Sequence, residues 1–182
     1  MRERTKTMAG FLAGVTMLTG ADQWTKKLVT DSLKGKPPVV LWDGVFEFFY
    51  SENQGAAFGM LQGRLPFFLL VAAIVFLAVI YVMWKLPKDK KYLPLKLCLT
   101  FIASGALGNL IDRIVQGYVV DFLYFKWIDF PIFNVADCYV TVATGVLLVL
   151  VLWYYSDDDF QVLKLKTPRS DLDGREAAGK ES

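Results

Sequence analysis

Five aspartates, Asp22, Asp112, Asp121, Asp129 and Asp137, lie at the ends of strongly apolar stretches or between them. An ionised carboxylate is expensive in such places unless it has a partner or a task. The chain has no histidine, which narrows the chemistry. Serine–histidine and cysteine–histidine nucleophiles are excluded, as is a zinc site of the HExxH kind. Acid–base work falls to carboxylates, lysines or tyrosines. Asp121, in Tyr118-Val119-Val120-Asp121-Phe122, has no neighbouring charge to offset it. Asp137, in Phe133-Asn134-Val135-Ala136-Asp137, stands at the mouth of an apolar block. Taken alone it reads as a plain acid at a helix N-terminus, where the dipole favours it. Two such carboxylates converging on one water cannot both ionise easily, so one keeps a proton. The pair then offers a base to activate water and an acid to protonate a leaving amine. Bringing residues 121 and 137 together is a tertiary requirement that spacing does not settle. The other three have structural readings. Asp112 is offset by Arg113, with Asn109 three residues earlier on the same helical face. Asp129 reads as a solvated residue near Lys126, and Asp22 as a cap on the first apolar run or a partner of Lys26 four residues on.

The elements that must carry these groups are apolar blocks. Leu65 to Trp84 is uncharged over 20 residues and Cys138 to Tyr155 over 18. Thr7 to Ala21 and Leu97 to Ile111 are uncharged runs of 15, each ending against an aspartate. A bilayer core of roughly 30 Å needs about 20 helical residues. The pattern predicts an all-α polytopic membrane protein with four spans, at about 8–24, 65–84, 93–113 and 135–155. Between spans one and two, Val39-Val40-Leu41-Trp42 and Val45 to Tyr50 flank Asp43-Gly44, a hairpin signal. Its aromatics and few charges place it on or near a membrane surface. Ser104 and Gly108 form a small-xxx-small pair suited to tight helix packing. Gly117 is a helix stop, and Tyr118 to Phe133 is aromatic without a period. Residues 1–155 read as one membrane-embedded domain, and 156–182 as a disordered polar tail.

Composition agrees with a membrane protein. The 182 residues are 54% hydrophobic, with mean hydropathy +0.38, above the range of soluble domains. Net charge is +2, too small to point to nucleic acid. Cys98 and Cys138 sit in apolar runs and read as small apolar residues, not a disulfide framework. Of the 20 Lys and Arg residues, thirteen fall before span one, around the second loop and in the tail. The positive-inside rule therefore places the termini in the cytoplasm, and both Asp121 and Asp137 at the outer face. Trp84 and Trp153-Tyr154-Tyr155 fall where an aromatic belt would lie. The N-terminus resembles a signal peptide, but Ala21-Asp22-Gln23-Trp24 is a poor cleavage site and more spans follow, so it reads as a retained anchor.

Five segments, in order, resemble the bacterial lipoprotein signal peptidases, the type II signal peptidases. They are Asp22-Gln23-Trp24-Thr25-Lys26, Glu52-Asn53-Gln54-Gly55-Ala56-Ala57-Phe58, Gly108-Asn109-Leu110-Ile111-Asp112-Arg113, Val119-Val120-Asp121-Phe122 and Phe133-Asn134-Val135-Ala136-Asp137. Each is weak alone; their order in a chain of this length is specific. The resemblance implies an aspartyl endopeptidase with Asp121 and Asp137 as the catalytic pair. Asn53, Gly55, Asn109, Arg113 and Asn134 would line or support the site, with Asp22 behind it. The substrate implied is a diacylglyceryl-modified prolipoprotein, cut just before its lipidated cysteine. The family is blocked by globomycin, and neither metal nor organic cofactor is expected. The implied setting is the bacterial inner membrane, as a monomer beside membrane lipid.

Three other readings compete. A transporter would use intramembrane aspartates as a proton path, but needs polar groups along the whole path, and here they crowd one face. A membrane scaffold would leave Asp121 and Asp137 without a task. An intramembrane aspartyl protease of the presenilin kind would carry Gly-x-Gly-Asp, which this sequence lacks.

Overall fold

A computed structural model describes residues 2–55, 64–156 and 158–160 of the chain. Four α-helices and three strands follow in the order α1 (Arg2–Leu33), β1 (Val39–Trp42), β2 (Phe46–Asn53), α2 (Leu65–Lys85), α3 (Leu93–Gln116), β3 (Val119–Phe125) and α4 (Val135–Val149). The helix limits follow local chemistry. Pro66 and Pro94 sit in the first turns of α2 and α3, where a missing N–H costs nothing. Gly117 ends α3 with φ 81°, its N–H donating to Arg113 O, a left-handed cap that glycine adopts without penalty. At the start of α4, Asn134 and Asp137 form a reciprocal capping box. A π-helical turn, Leu150–Tyr154, extends α4.

Three helical segments are long and apolar enough to cross a membrane: Leu65–Lys85, Lys90–Gln116 and Val135–Tyr154. Their limits match the last three expected spans closely. The first differs. The expected span over 8–24 is the middle of a 32-residue helix, about 48 Å long at 1.5 Å per residue. Asp22 therefore does not cap a helix end. It lies inside a helix that runs on for three more turns and carries Lys26 on the same face.

α3 is the central helix, packed against α1, α2 and α4. Its buried face runs through Leu95, Leu99, Ala103, Ser104, Gly105, Gly108 and Asp112. The Ser104–Gly108 pair expected from sequence does lie at a tight contact with α1, Thr19 Oγ1 donating to Ser104 O at 3.2 Å, and Gly105 adds a close approach to α4. A Cβ at Gly105 would collide with the carbonyl of Ala136 and with Val140, and one at Gly108 with the Asp22 carboxylate. The buried Ser104 hydroxyl is satisfied within α3 by Thr100 O. At the far end of the helices, Phe11, Val15, Val79, Met83, Tyr92 and Tyr155 build the apolar core.

The three strands form one antiparallel sheet in the order β1-β2-β3. The Asp43-Gly44 hairpin is present, with Gly44 at φ 67°. β3 lies in the stretch that reads as aromatic without a period. Val119, Val120, Asp121 and Phe122 are all buried, so the strand has no polar face and no alternation to betray it. On its other edge Phe133 N donates to Leu123 O at 3.1 Å, which fixes the entry to α4 against the sheet. Lys34, just past α1, holds Glu52 of β2 at 2.7 Å and lies 5.7 Å from the rings of both Tyr50 and Tyr118. This pairing draws the exposed Glu52 carboxyl below its ordinary range and raises Lys34. Apolar residues are exposed along β1, at Val40, Leu41 and Trp42, and in the turn after β3, at Trp127 and Ile128. Apart from Ser156 and residues 158–160, the expected disordered tail lies outside the described residues, as do Ala56, Ala57 and Phe58.

Candidate active site

Asp121 is 2% exposed, and its two carboxylate oxygens each receive a side-chain amide. Asn134 Nδ2 donates to Oδ1 at 2.6 Å and Asn53 Nδ2 donates to Oδ2 at 2.9 Å. Register explains the Asn53 contact. Ser51 pairs with Asp121 and Asn53 with Val119, so Asn53 and Asp121 are diagonal neighbours on one face of the sheet. Burial, and after it the charge of Asp137, push the Asp121 carboxyl up to about 7, although both amides favour the ionised form.

Asp137 is half-buried at the third position of α4. Asn134 N–H donates to its Oδ2 at 3.2 Å, and Asn109 Nδ2 donates to its Oδ1 at 2.7 Å. Asn134 also donates to Asn109 Oδ1 at 3.1 Å. One network of asparagines thus joins the two aspartates, although α3, β3 and α4 supply its members. Both line a cleft of about 740 Å³. Its walls include Phe68 of α2, Thr141 and Val142 of α4, and the aromatic segment Phe130 to Phe133.

Arg113 enters the same cleft. Its Nη2 donates to Gly55 O at 2.8 Å and its Nη1 to Asn109 O at 3.2 Å. The guanidinium lies 4.2 Å from the centre of the Phe68 ring, a stacked cation–π contact. Its Nε is buried without a hydrogen-bond partner among the described residues. Gly55 N–H in turn donates to Asn53 Oδ1 at 2.9 Å, so Asn53, Gly55 and Arg113 form one wall.

Asp112 does not pair with Arg113 as the sequence invited. One residue apart on a helix, the two side chains diverge by about 100°. Arg113 faces the cleft, and Asp112 faces α1, where Lys26 Nζ reaches it at 2.9 Å. Lys26 also pairs with Asp22 at 3.0 Å, as expected for one of the two readings of Asp22. All three are almost fully buried. Their remaining lone pairs are met by backbone: Ala136 N–H donates to Asp22 Oδ1 at 2.9 Å and Val120 N–H to Asp112 Oδ2 at 3.2 Å. Gln23 adds a donor to Asp112 Oδ1 at 2.8 Å. The ion cluster therefore fastens α1 and α3 to β3 and to the first turn of α4. Gln23, adjacent to Asp22 in sequence, is the member that residue type alone did not single out. Asp129 stands apart. It adopts φ 48° and accepts from Tyr124 Oη at 2.6 Å, while Lys126 pairs with the buried Glu47 at 3.3 Å. Among the described residues no three acidic or thiol side chains gather as a metal site would require.

Residues 15–153 match the family described as Signal peptidase (SPase) II. A lipoprotein signal peptidase from Streptococcus thermophilus (strain CNRZ 1066) is 42% identical over 139 residues, covering 76% of this chain and 89% of that protein. One from Brevibacillus brevis is 41% identical over 133 residues, covering 73% and 88%. A bacterial membrane enzyme solved by the in meso method at 2.3 Å resolution superposes with TM-score 0.70 at 29% identity, covering 87% of this chain and 94% of that one. With its long apolar helices, this is a multi-pass membrane protein, and the chain belongs to the signal peptidase II family of proteases.

Proposed function

We propose that this protein is an aspartyl endopeptidase that removes the signal peptide from diacylglyceryl-modified prolipoproteins, cleaving just before the lipidated cysteine. The observation that carries the reading is the pair of Asp121 and Asp137 in one cleft, joined through Asn109 and Asn134. Asp137, the more accessible, accepts a proton from water as the water oxygen attacks the scissile carbonyl carbon. Asp121, buried and raised to about 7, gives its proton to the carbonyl oxygen. The resulting diol collapses as Asp137 passes its proton to the leaving nitrogen and a diol hydroxyl returns one to Asp121. The C–N bond breaks, and both carboxyls regain their starting states. Arg113, with Nε still unpaired among the described residues, positions a substrate carbonyl beside the pair.

In this reading α1 is the fourth span and residues 1–155 are one domain, acting as a monomer. The termini are cytoplasmic, the cleft lies at the outer face of the inner membrane, and globomycin blocks it. The apolar outer face of the sheet meets the lipid headgroups, and the lipidated substrate enters from the bilayer between α2 and α4. A proton-transport role finds less support. The buried hydroxyls of Thr19, Ser104 and Thr100 donate to the backbone carbonyls of Ser104, Thr100 and Lys96, not to one another.

The test is cleavage of a diacylglyceryl-modified prolipoprotein, followed by gel shift, for wild type, Asp121→Asn and Asp137→Asn. Cleavage by wild type and by neither variant is expected. A folded but inactive wild type, or a fully active variant, overturns the reading.

A further inference from the structure

Three asparagines surround the two aspartates, and each must present its nitrogen to a carboxylate. Turning any one amide over replaces a donor by an acceptor. For two of them a backbone N–H holds the oxygen end. Asn53 Oδ1 accepts from Gly55 N–H at 2.9 Å, and Asn134 Oδ1 accepts from Asp137 N–H at 3.0 Å. Asn109 has no such anchor. Its Oδ1 faces Lys26 Nζ at 2.9 Å and Asn134 Nδ2 at 3.1 Å. An ammonium has three donors and no acceptor, so the atom facing it must be oxygen. Lys26 is 3% exposed, and its three protons have three takers: Asp22, Asp112 and Asn109.

We propose that Lys26 is a positioning residue for Asp137, acting by locking the Asn109 amide so that Asn109 can only donate to it. The ion pairs with Asp22 and Asp112 hold the ammonium in place, and its third proton sets the amide. Asp137 then receives Asn109 Nδ2 on Oδ1 and Asn134 N–H on Oδ2, both of which favour the ionised, proton-accepting form. Without the ammonium, only the longer 3.1 Å bond from Asn134 Nδ2 holds the Asn109 oxygen, and an amide turned over, with its oxygen toward Asp137, favours the protonated form. The other charges around Asp137 are Asp22 on α1, Asp112 and Arg113 on α3, Asp121 on β3 and Glu52 on β2 across the cleft. Cys138 is its titratable neighbour on α4, and α2 contributes the uncharged Phe68. None of these donates to the oxygen of Asn109, which receives Lys26 Nζ and Asn134 Nδ2.

This inference rests on the peptidase reading and concerns the acidic limb of its pH–rate profile, where the base must lose its proton. Lys26→Met alone strands two buried carboxylates, so the variant of choice combines Lys26→Met with Asp22→Asn and Asp112→Asn. The new amide oxygens can still accept from Ala136 N–H and Val120 N–H. Rates of prolipoprotein cleavage are measured across pH for the folded, purified protein. The expected result is an acidic limb moved up by roughly one pH unit, a kcat lowered about tenfold at pH values below that limb and little changed above it, and KM within about twofold. A purely structural ion cluster would lower the folded fraction and leave the limb where it was, and that result overturns the proposal. Asn109→Leu, which leaves the ion pairs intact, serves if the triple variant does not fold. It must shift the limb in the same direction, and an unmoved limb there also overturns the proposal. In the Asn109→Leu background the three neutralising substitutions should add no further shift. Wild-type cleavage is checked first: its absence counts against the peptidase reading, whereas wild-type cleavage with unmoved limbs counts against Lys26 alone.

Discussion

Asn134 donates to Asp121 at 2.6 Å while its own carbonyl oxygen caps α4 by accepting from the Asp137 N–H at 3.0 Å. One side chain thus ends a loop, starts a helix and spaces two carboxylates. Replacing Asn134 by alanine should cost about 1 kcal/mol through the lost cap. The lost hydrogen bond to Asp121, which strengthens once Asp121 has given up its proton, should lower kcat about tenfold to a hundredfold. Thermal midpoint and turnover, measured on the same preparation, check this. A drop in activity that merely tracks the folded fraction would contradict the second role.

Stability should depend on pH through Asp121. Its folded-state value of about 7 lies above the ordinary 3.8. A carboxyl raised in this way binds its proton more tightly in the folded state. Its contribution is therefore complete below about pH 4 and is lost as pH rises through 7, by an amount on the order of a few kcal/mol. Asp121→Asn, which stays neutral, should remove that slope. Thermal midpoints of wild type and variant in detergent, at pH 5 and pH 8, make the comparison. Parallel pH dependences would show that Asp121 ionises freely in the folded protein.

The buried cluster of Lys26, Asp22 and Asp112 should respond asymmetrically. Lys26→Met leaves two carboxylates facing each other and should destabilise by about 3–5 kcal/mol. Asp112→Asn keeps the Lys26–Asp22 pair and an acceptor for Val120 N–H, so its loss should be smaller and linked to folding. Urea or thermal unfolding in a fixed detergent ranks the two. An Asp112→Asn protein of wild-type stability and no activity would place Asp112 in the chemistry itself.

Helix packing offers a cleaner contrast. Gly105→Ala drives a methyl into the Ala136 carbonyl and Val140, both hard to move, and should cost about 1–3 kcal/mol. Gly145 has open space where its Cβ would go, so Gly145→Ala should be neutral or stabilising through helix propensity. Equal thermal midpoints for the two variants would mean that α3 and α4 do not approach as closely at Ala136 as they do here.

Much of this protein was legible in its residues. Long uncharged runs dictate helices because a bilayer leaves no other way to satisfy a backbone, and the last three spans fall where those runs lie. The Asp-Gly between two aromatic runs dictated the hairpin, and the absence of histidine left carboxylates to do the chemistry. The resemblance supplied the names of the site residues. What the residues did not carry was partnership. Asp112 sits beside Arg113 in sequence yet pairs with Lys26, 86 positions away, because consecutive side chains on a helix point about 100° apart. The sequence pattern does not announce β3 because both faces of its first four residues are buried, and alternation is a signal only when one face meets water. That Asp121 of a strand and Asp137 of a helix share one cleft follows from the bridge at Phe133 and the close packing at Gly105. Both are contacts between distant segments, and only the folded chain brings those segments together.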